Sequence, residues 1–248
     1  MARRAGHLQL SRYQNPGEVR ENAPQDFVTE VDLLCEGLMV NAIGERYPDD
    51  AILSEERGGS VSEEGRTWLL DPVDGTANFM KANPMFCACV SMIEDGHVTH
   101  AAVAAPRIGD LYHARAGGGA YRETGGEVVP MRVSDTRRLE YAVAGADLSL
   151  HGGKPQDPGV EELLFGAWQL RALGSAGIRG AWLAAGYLDV SVGTRNTAWD
   201  YAPTVLLVSE AGGRATDLDG SPWTVDSRGL IATNGVVHDE VLAALDGA

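Results

Sequence analysis

Residues 71–79 read Asp71-Pro72-Val73-Asp74-Gly75-Thr76-Ala77-Asn78-Phe79. The apolar run 68–70 leads directly into them, and a short apolar run before a Pro/Gly-rich turn predicts a buried strand that ends at Asp71. Pro72 disfavours helical backbone at Asp71 and fixes its own φ, so both aspartates are presented from a stiff loop. Gly75 permits a tight turn, and Thr76 opens a helix whose free N–H groups form a natural anion site.

The chemistry of this loop depends on its two carboxylates. Asp71 and Asp74 repel each other unless a cation lies between them, and hard divalent ions such as Mg²⁺ take oxygen ligands of this kind. A metal beside an anion site is typical of phosphate chemistry. The alternative is that both are turn residues, since Asp and Gly favour turns through local hydrogen bonds. Further acidic residues elsewhere in the chain that could join the same site would favour the metal interpretation.

Two further segments supply such partners. Upstream, the apolar run 51–54 ends in Glu55-Glu56. Downstream, Trp199-Asp200 introduces an apolar, helix-like run that closes with the segment 210–213, Glu-Ala-Gly-Gly. In this order and with these spacings, the three segments resemble the inositol monophosphatase family of Mg²⁺-dependent, lithium-sensitive phosphatases. That family also includes fructose-1,6-bisphosphatases, phosphoadenosine phosphatases and one class of histidinol phosphatase.

The resemblance runs from about Asp26 to about His238. It implies an α/β fold, a layered α/β/α/β/α sandwich with an antiparallel larger sheet in the first half and a smaller sheet in the second. Near 134–139 the pattern shifts from strand-rich to alternating helix and strand. We therefore expect an N-terminal lobe over 1–135 that carries the metal loop, and a C-terminal lobe over 136–248 that completes the active site.

The resemblance also implies a set of metal ligands. One Mg²⁺ is assigned to Glu55, Asp71 and the carbonyl of Val73. A second is assigned to Asp71, Asp74 and Asp200, with Asp71 bridging the two ions. Glu55 also helps to hold a third, loosely bound ion and is counted among the catalytic residues. We therefore expect two or three Mg²⁺ per active site.

By the same resemblance, Asp32 and Thr76 orient and deprotonate the attacking water, and the amides of Gly75 and Thr76 hold the phosphate. Asp32 has a second interpretation. It lies near the start of a predicted helix over 33–47, where Asp is common because it caps the helix and complements its dipole. Glu56 is interpreted as a supporting or surface group beside the ligand Glu55.

The part of the site that holds the organic half of the substrate departs from the resemblance. Gly174, Ser175 and Ala176 match a substrate-facing turn. Gly193 stands where inositol phosphatases carry a glutamate that grips a sugar hydroxyl, and Arg195 follows two positions later. Arginine suits a carboxylate, a second phosphate or the face of a base. The alternative is that Arg195 lies on the surface, as arginine often does.

The remaining elements follow from periodicity and turn signals. Helices are predicted over 159–170, 177–185, 200–210 and 238–245, and strands over 86–94, 98–105, 111–116, 120–122, 141–146, 188–192, 214–216 and 230–233. Asp95-Gly96 predicts a hairpin, and Gly117-Gly118-Gly119 a turn, because no Lys-Ser/Thr follows to make a nucleotide cradle. The segment 148–158 is predicted to be a mobile loop.

The composition of the chain limits its size class, its partners and its location. The chain has 248 residues, of which 44% are hydrophobic, enough for a core of its own. Its charge of 20 − 35 = −15 disfavours nucleic acid and anionic membranes as partners. No apolar run approaches the ~20 residues of a membrane span, and no signal-peptide core follows Arg3-Arg4, so a cytoplasmic location is expected. The cysteines at 35, 87 and 89 have no metal or redox spacing and are expected to pack in the core.

Two functions of different classes are compatible with these patterns. The first is a hydrolase, a Mg²⁺-dependent phosphomonoesterase acting on a small inositol-phosphate-like, sugar, nucleoside or amino-alcohol phosphate. Within it, histidinol phosphate, fructose 1,6-bisphosphate and a 3'-phosphoadenosine nucleotide are alternative substrates. The second is a catalytically silent binding or regulatory protein with the same fold. Retention of all six acidic and hydroxyl groups of the site favours the enzyme. Relatives are commonly dimers, so we expect a homodimer.

Overall fold

The structure is a computed structural model that describes residues 1–62, 64–146, 158–194 and 197–246. The helices are α1 (Ala2–Ser11), α2 (Glu30–Gly44), α3 (Thr76–Met80), α4 (Pro158–Gly166), α5 (Ala176–Ala184), α6 (Ala198–Glu210) and α7 (His238–Asp246). The strands of the first half are β1 (Val19–Ala23), β2 (Asp26–Thr29), β3 (Ala51–Ser54), β4 (Gly58–Gly59), β5 (Arg66–Asp74), β6 (Cys87–Glu94), β7 (His97–Ala105), β8 (Asp110–Arg115), β9 (Gly119–Thr124) and β10 (Glu127–Pro130). Those of the second half are β11 (Val143–Ala146), β12 (Gln169–Arg171), β13 (Val190–Gly193), β14 (Arg214–Thr216) and β15 (Leu230–Thr233).

These strands form two large sheets and a separate β1–β2 hairpin. The larger sheet has eight strands in the order β10-β9-β8-β7-β6-β5-β3-β4, and its pairs are antiparallel except for the parallel pair β3–β5. The smaller sheet has five strands in the order β12-β11-β13-β15-β14. There β11 runs parallel to both of its neighbours, and the other pairs are antiparallel.

Helices cover the sheets in layers. α1 and α2 pack on one face of the larger sheet around Met39, Leu70 and Phe86. α5 and α6 lie between the two sheets, where Ile178 and Leu207 are fully buried. α4 and α7 cover the outer face of the smaller sheet. The expected α/β/α/β/α sandwich is confirmed, whereas the lobe boundary at about residue 135 stays a prediction.

The strand that leads into the metal loop is longer than predicted. β5 does not end at Asp71 but continues to Asp74, and its register against β6 shifts between these two residues. Pro72 lies inside the irregularity, since it has no N–H to donate to the ladder. The two aspartates therefore project from the two ends of a bulge within a strand.

The boundaries of two helices are among the others that were predicted wrongly. The helix predicted over 33–47 begins at Glu30, because Thr29 caps it and forms a capping box with Asp32. The helix predicted over 159–170 ends at Gly166, and the following segment forms β12. Its residues pair in parallel with β11, with Gln169 opposite Val143. The loop predicted over 148–158 lies almost entirely outside the described residues.

Several turn predictions are confirmed. Asp95 and Gly96 both have positive φ and connect β6 to β7. The glycine run 117–119 turns between β8 and β9, and Glu210 at the end of α6 holds it by accepting bonds from Gly117 N at 2.7 Å and Gly119 N at 2.8 Å. The acidic residue of the segment 210–213 is thus a structural anchor. None of the helices in the described part of the chain combines the length and the hydropathy of a membrane span. The cytoplasmic location stays a prediction.

Candidate active site

The metal loop begins where β5 ends. Gly75 has φ 90° and precedes α3, and a Cβ there would lie 2.8 Å from Met85 O and 3.0 Å from Gly174 O. Only glycine fits this turn without strain, because the conformation is left-handed and backbone from two other segments closes on it. Asp71 Oδ1 accepts a bond from Val73 N at 3.0 Å. The loop is therefore held in one shape by its own sequence.

Four carboxylates from distant parts of the chain meet at this loop. They line one cavity of about 400 Å³: Glu55 after β3, Asp71 and Asp74 on β5, and Asp200 in the first turn of α6. Oxygens of the three aspartates lie within 4.8 Å of one another. The wall is completed by Val73, Gly75, Thr76, Ala77, Ala146, Ala172, Gly174, Ser175 and Ala176.

Burial and mutual repulsion make this cluster unfavourable in its charged form. Burial raises the pKa of Asp71 well above its ordinary value, and the neighbouring carboxylates raise it further. Burial also raises the pKa of Glu55 to about 9, with the charge of Asp200 as the next cause. Within the described residues, no lysine or arginine forms an ion pair with Glu55, Asp71 or Asp74. An all-oxygen cluster of this kind fits a hard divalent cation, which would offset the repulsion.

Asp74 joins the metal loop to the second half of the chain. Its Oδ1 accepts a bond from Ala176 N at 2.9 Å, and its Oδ2 accepts bonds from Gly177 N at 2.7 Å and from Ser175 Oγ. These donors belong to the N-terminal end of α5, where free N–H groups favour a negative charge. Ser175 and Ala176 therefore line the cavity but direct their polar groups at Asp74.

Cys87 and Cys89 lie beside Asp74 on β6, close enough that the three side chains could share a metal ion. Burial raises the pKa of the Cys87 thiol to about 11, so the protonated form prevails, and the thiolate is the form that ligates metals. The Cys87 thiol donates to Asp74 Oδ2 at 3.1 Å. All three cysteines are free and buried, in agreement with their predicted packing role.

Asp32 and Thr76 meet at the edge of the cluster. Thr76 Oγ1 lies 3.2 Å from Asp32 Oδ1 and 3.0 Å from the carbonyl of Val73. The other oxygen of Asp32 accepts bonds from the amide and hydroxyl of Thr29, which caps α2. Burial raises the pKa of Asp32, and the bonds from Thr29 and Thr76 oppose that rise. The contacts of Asp32 are compatible with both of its interpretations, as a helix-capping residue and as the partner of Thr76. Its Oδ2 closes the helix cap, and its Oδ1 faces Thr76.

A model of the inositol monophosphatase family matches residues 1–247. The chain belongs to this family. A fructose-1,6-bisphosphatase/inositol-1-monophosphatase of Thermotoga maritima is 32% identical over 99% of this chain and 93% of its own length. A histidinol-phosphatase of Mycobacterium tuberculosis is 34% identical over 88% of this chain and 84% of its own length. A solved Thermotoga maritima IMPase has a TM-score of 0.87 at 31% identity, over 99% of this chain and 94% of that one.

Members of the inositol monophosphatase family are Mg²⁺-dependent phosphomonoesterases, and hydrolysis of small phosphate monoesters is the activity of this chain. The acidic cluster agrees with that dependence, because its donors are the oxygens that Mg²⁺ prefers. Gly193 is the position at which the sequence predicts a departure from the inositol phosphatase pattern. A Cβ at Gly193 would lie 2.2 Å from Tyr201 Oη, so the Tyr201 hydroxyl occupies the space of a side chain. Arg195 lies outside the described residues.

Three residues that brace the site were not found from the sequence. Gln9 on α1 donates from Nε2 to Pro72 O at 2.7 Å and to Cys87 O at 3.0 Å, and so satisfies two carbonyls beside the β5 bulge. Asn78 donates to Leu173 O at 2.8 Å and to Met85 O, and so ties α3 to the turn before α5. Glu36 on α2 accepts hydrogen bonds from Ser54 and Arg57, on either side of Glu55. Only Asn78 lies within a recognisable motif, the stretch 71–79, and no local pattern distinguishes the other two from ordinary helix residues.

Proposed function

We propose that this phosphatase holds two or three Mg²⁺ through Glu55, Asp71, Asp74, Asp200 and the carbonyl of Val73, with Asp71 shared between two of them. The observation that carries the proposal is the convergence of these groups on one cavity, where oxygens of the three aspartates lie within 4.8 Å of one another. Bound Mg²⁺ would neutralise phosphate oxygens, lower the pKa of a bound water and stabilise the leaving oxygen.

The chain's own residues orient the reaction. Thr76 donates its hydroxyl hydrogen to Asp32 Oδ1, which leaves its oxygen free to accept a hydrogen bond from the attacking water. Asp32 is then the base to which the proton of that water passes through the hydroxyl. The amides of Gly75 and Thr76, at the turn into α3, hold the phosphate in line with the water.

The substrate proposed is a small phosphate monoester other than inositol 1-phosphate, one that carries a second anionic group or a base. Support comes from Gly193, where Tyr201 leaves no room for a hydroxyl-binding glutamate. Arg195, two positions later, supplies the charge for the extra group. The relatives named as histidinol-phosphatase and fructose-1,6-bisphosphatase/inositol-1-monophosphatase show which substrates to compare first.

The test is phosphate release from four substrates with and without Mg²⁺: inositol 1-phosphate, histidinol phosphate, fructose 1,6-bisphosphate and 3'-phosphoadenosine 5'-phosphate. We expect Mg²⁺-dependent turnover, with inositol 1-phosphate not the best substrate, and Arg195→Ala erasing most of the preference. Inositol 1-phosphate as the best substrate would refute the substrate proposal alone. Mg²⁺ binding without turnover of any of them would refute the proposed substrate class and place the substrate outside this panel.

Lithium inhibition in the millimolar range is proposed from the family resemblance, with Li⁺ taking the position of the second Mg²⁺. The relevant groups, Asp74 and Asp200, are those expected to hold that ion. Initial rates at saturating Mg²⁺ should fall as LiCl is added, while NaCl at equal ionic strength leaves them unchanged. Full activity in LiCl with the Mg²⁺ site occupied would remove this part of the proposal.

The partner proposed is a second copy of the chain, paired along β12. This strand is an edge of the smaller sheet, and all three of its residues are exposed. Phe165 and Trp168, just before it, are 81% and 64% exposed, and an apolar surface beside a strand edge that no other described strand covers favours association. Light scattering should give a dimer mass for the wild type and a monomer mass for Phe165→Asp/Trp168→Asp. Val128→Asp, on the edge strand β10, is the matched control and should stay dimeric.

A further inference from the structure

Glu36 is a buried carboxylate outside the three segments that resemble the phosphatase family. It lies on α2 four positions after Asp32, so the two side chains share one face of the helix. Only 1% of Glu36 is exposed, and Asp32 is fully buried. That face of α2 therefore carries two buried carboxylates. Asp32 contacts Thr76, and Glu36 contacts the segment around Glu55.

The contacts of Glu36 enclose the segment that carries Glu55. Its Oε1 accepts bonds from Ser54 Oγ and from Arg57 N at 3.1 Å. Its Oε2 accepts a bond from Arg57 Nε at 3.0 Å. Ser54 immediately precedes Glu55, and Arg57 follows it by two positions. The carboxylate of Glu36 therefore binds the chain on both sides of the proposed metal ligand.

The gripped segment is a short hairpin between β3 and β4. Ser54 pairs with Gly58 across it, so the turn consists of residues 55–57. The amide of Glu55 donates to the carbonyl of Leu70 at 3.1 Å, one residue before Asp71. The backbone of Glu55 is thereby tied to β5, while Glu36 fixes the turn on either side of it. The direction of the Glu55 carboxylate depends on both restraints.

Burying a carboxylate to close a turn is unfavourable in free energy, because the charge loses its hydration. Here three hydrogen bonds, one of them from a guanidinium, offset that cost. Outer groups that orient a ligand carboxylate tune metal binding, since the ligand then reaches the metal without first losing conformational freedom. A charged clamp at this place is therefore better explained by the metal site than by folding alone.

We infer that Glu36 is a positioning residue that sets the affinity of the site for Mg²⁺ by orienting Glu55. This inference rests on the proposed role of Glu55 as a metal ligand. Glu36→Gln keeps the shape of the side chain but places an amide N–H₂ where an acceptor is needed, against either Arg57 Nε–H or the Ser54 hydroxyl. At least one of the three bonds is then lost, and Glu55 gains freedom.

The experiment is calorimetric titration of the full chain with Mg²⁺ alone, for the wild type, Glu36→Gln, Glu55→Gln and Asp50→Asn. Asp50 is the matched control because it is also a buried carboxylate that binds an arginine, Arg66, yet it does not line the cavity. We expect Glu36→Gln to weaken Mg²⁺ binding by about 10-fold or more, whereas Asp50→Asn leaves it unchanged. Saturating Mg²⁺ should restore kcat in Glu36→Gln, since Glu36 acts through the metal ligand.

The outcomes separate this inference from the proposed function. Weaker Mg²⁺ binding in Glu55→Gln but not in Glu36→Gln overturns the inference and leaves the ligand assignment intact. Wild-type Mg²⁺ binding that does not depend on Glu55 overturns the ligand assignment itself. If Glu36→Gln does not fold, Arg57→Met removes the Nε–H donor from a side chain that is 56% exposed. It should weaken Mg²⁺ binding in the same direction, and unchanged binding would count against the clamp.

Discussion

The two ends of β5 lie beside buried carboxylates in opposite electrostatic surroundings. At its start, Asp50 accepts two bonds from Arg66, at 2.8 and 3.0 Å, and one from Trp68 Nε1 at 2.8 Å. At its other end, Asp71 lies among further carboxylates, and burial with their charges raises its pKa. One end of β5 thus contacts a carboxylate that the chain neutralises, and the other end carries a carboxylate surrounded by further negative charge.

The difference distinguishes a structural charge from a functional one. A buried carboxylate is tolerated when a cation and hydrogen-bond donors surround it, as Arg66 and Trp68 surround Asp50. Where further carboxylates surround the buried group instead, as at Asp71, a bound cation would offset the repulsion. Substitutions at the two ends of β5 should therefore affect different properties of the protein.

The largest effect is expected for Asp74→Asn. The change removes a charge from the metal cluster without removing bulk, and it places an amide against the donors of α5. Phosphate release should be nearly abolished. Asp50→Asn should instead keep kcat and lower the free energy of unfolding by about 1–3 kcal/mol. Near-wild-type turnover of Asp74→Asn would contradict the metal assignment and remove the contrast between the two ends of β5.

Thr76→Ala is expected to have the next largest effect. The hydroxyl that contacts Asp32 and orients water matters chiefly in the transition state, so kcat should fall by about 100-fold or more with little change in KM. Thr76→Ser keeps the hydroxyl and is the matched control, which should retain most of kcat. A raised KM at unchanged kcat would show that Thr76 only binds substrate.

Mg²⁺ should also stabilise the fold, since it binds a site that exists only in the folded chain. At a hundredfold excess over Kd the gain is about 2.7 kcal/mol, or roughly 5–10 °C in the unfolding midpoint. Asp200→Asn should lose most of this gain, whereas Asp50→Asn should keep it, starting from a lower midpoint. Equal gains in both variants would mean that the cluster is not where Mg²⁺ binds.

The smallest effect concerns His238, a buried ionisable group that is kept neutral. It lies between the hydroxyls of Thr216 and Thr233, each at 3.0 Å, and burial lowers its pKa from 6.5 to about 4. The neutral form is favoured in the folded chain, so this stabilisation is complete above pH 6.5. It should be lost as the pH falls from 6.5 to 4, by up to about 3 kcal/mol. Unfolding titrations across this range should show a shallower pH slope for His238→Gln, and an identical slope would contradict the assignment.

Local features of the fold were predictable because neighbouring residues decide them. The strand–turn–helix around Gly75 follows from an apolar run, a proline and a glycine, and the hairpin at Asp95-Gly96 follows from its turn residues. The strands 214–216 and 230–233 were placed with the bounds that the structure has. Where a boundary depends on a partner strand, prediction failed: β5 continues past Asp71 because β6 still pairs with it at Asp74, and Gln169 is a strand residue because β11 lies beside it.

By itself the sequence determined the fold family and the acidic and hydroxyl groups that line the cavity, because these depend on residue types at short spacings within three segments. Only the tertiary structure decided how those groups are held. It placed the amides of α5 on Asp74, Gln9 against Pro72 and Glu36 around the Glu55 turn. Each of these contacts joins residues far apart in the chain, and sheet register and helix packing bring them together. Short-range patterns carry no information about such contacts, whose geometry exists only once the layers have assembled.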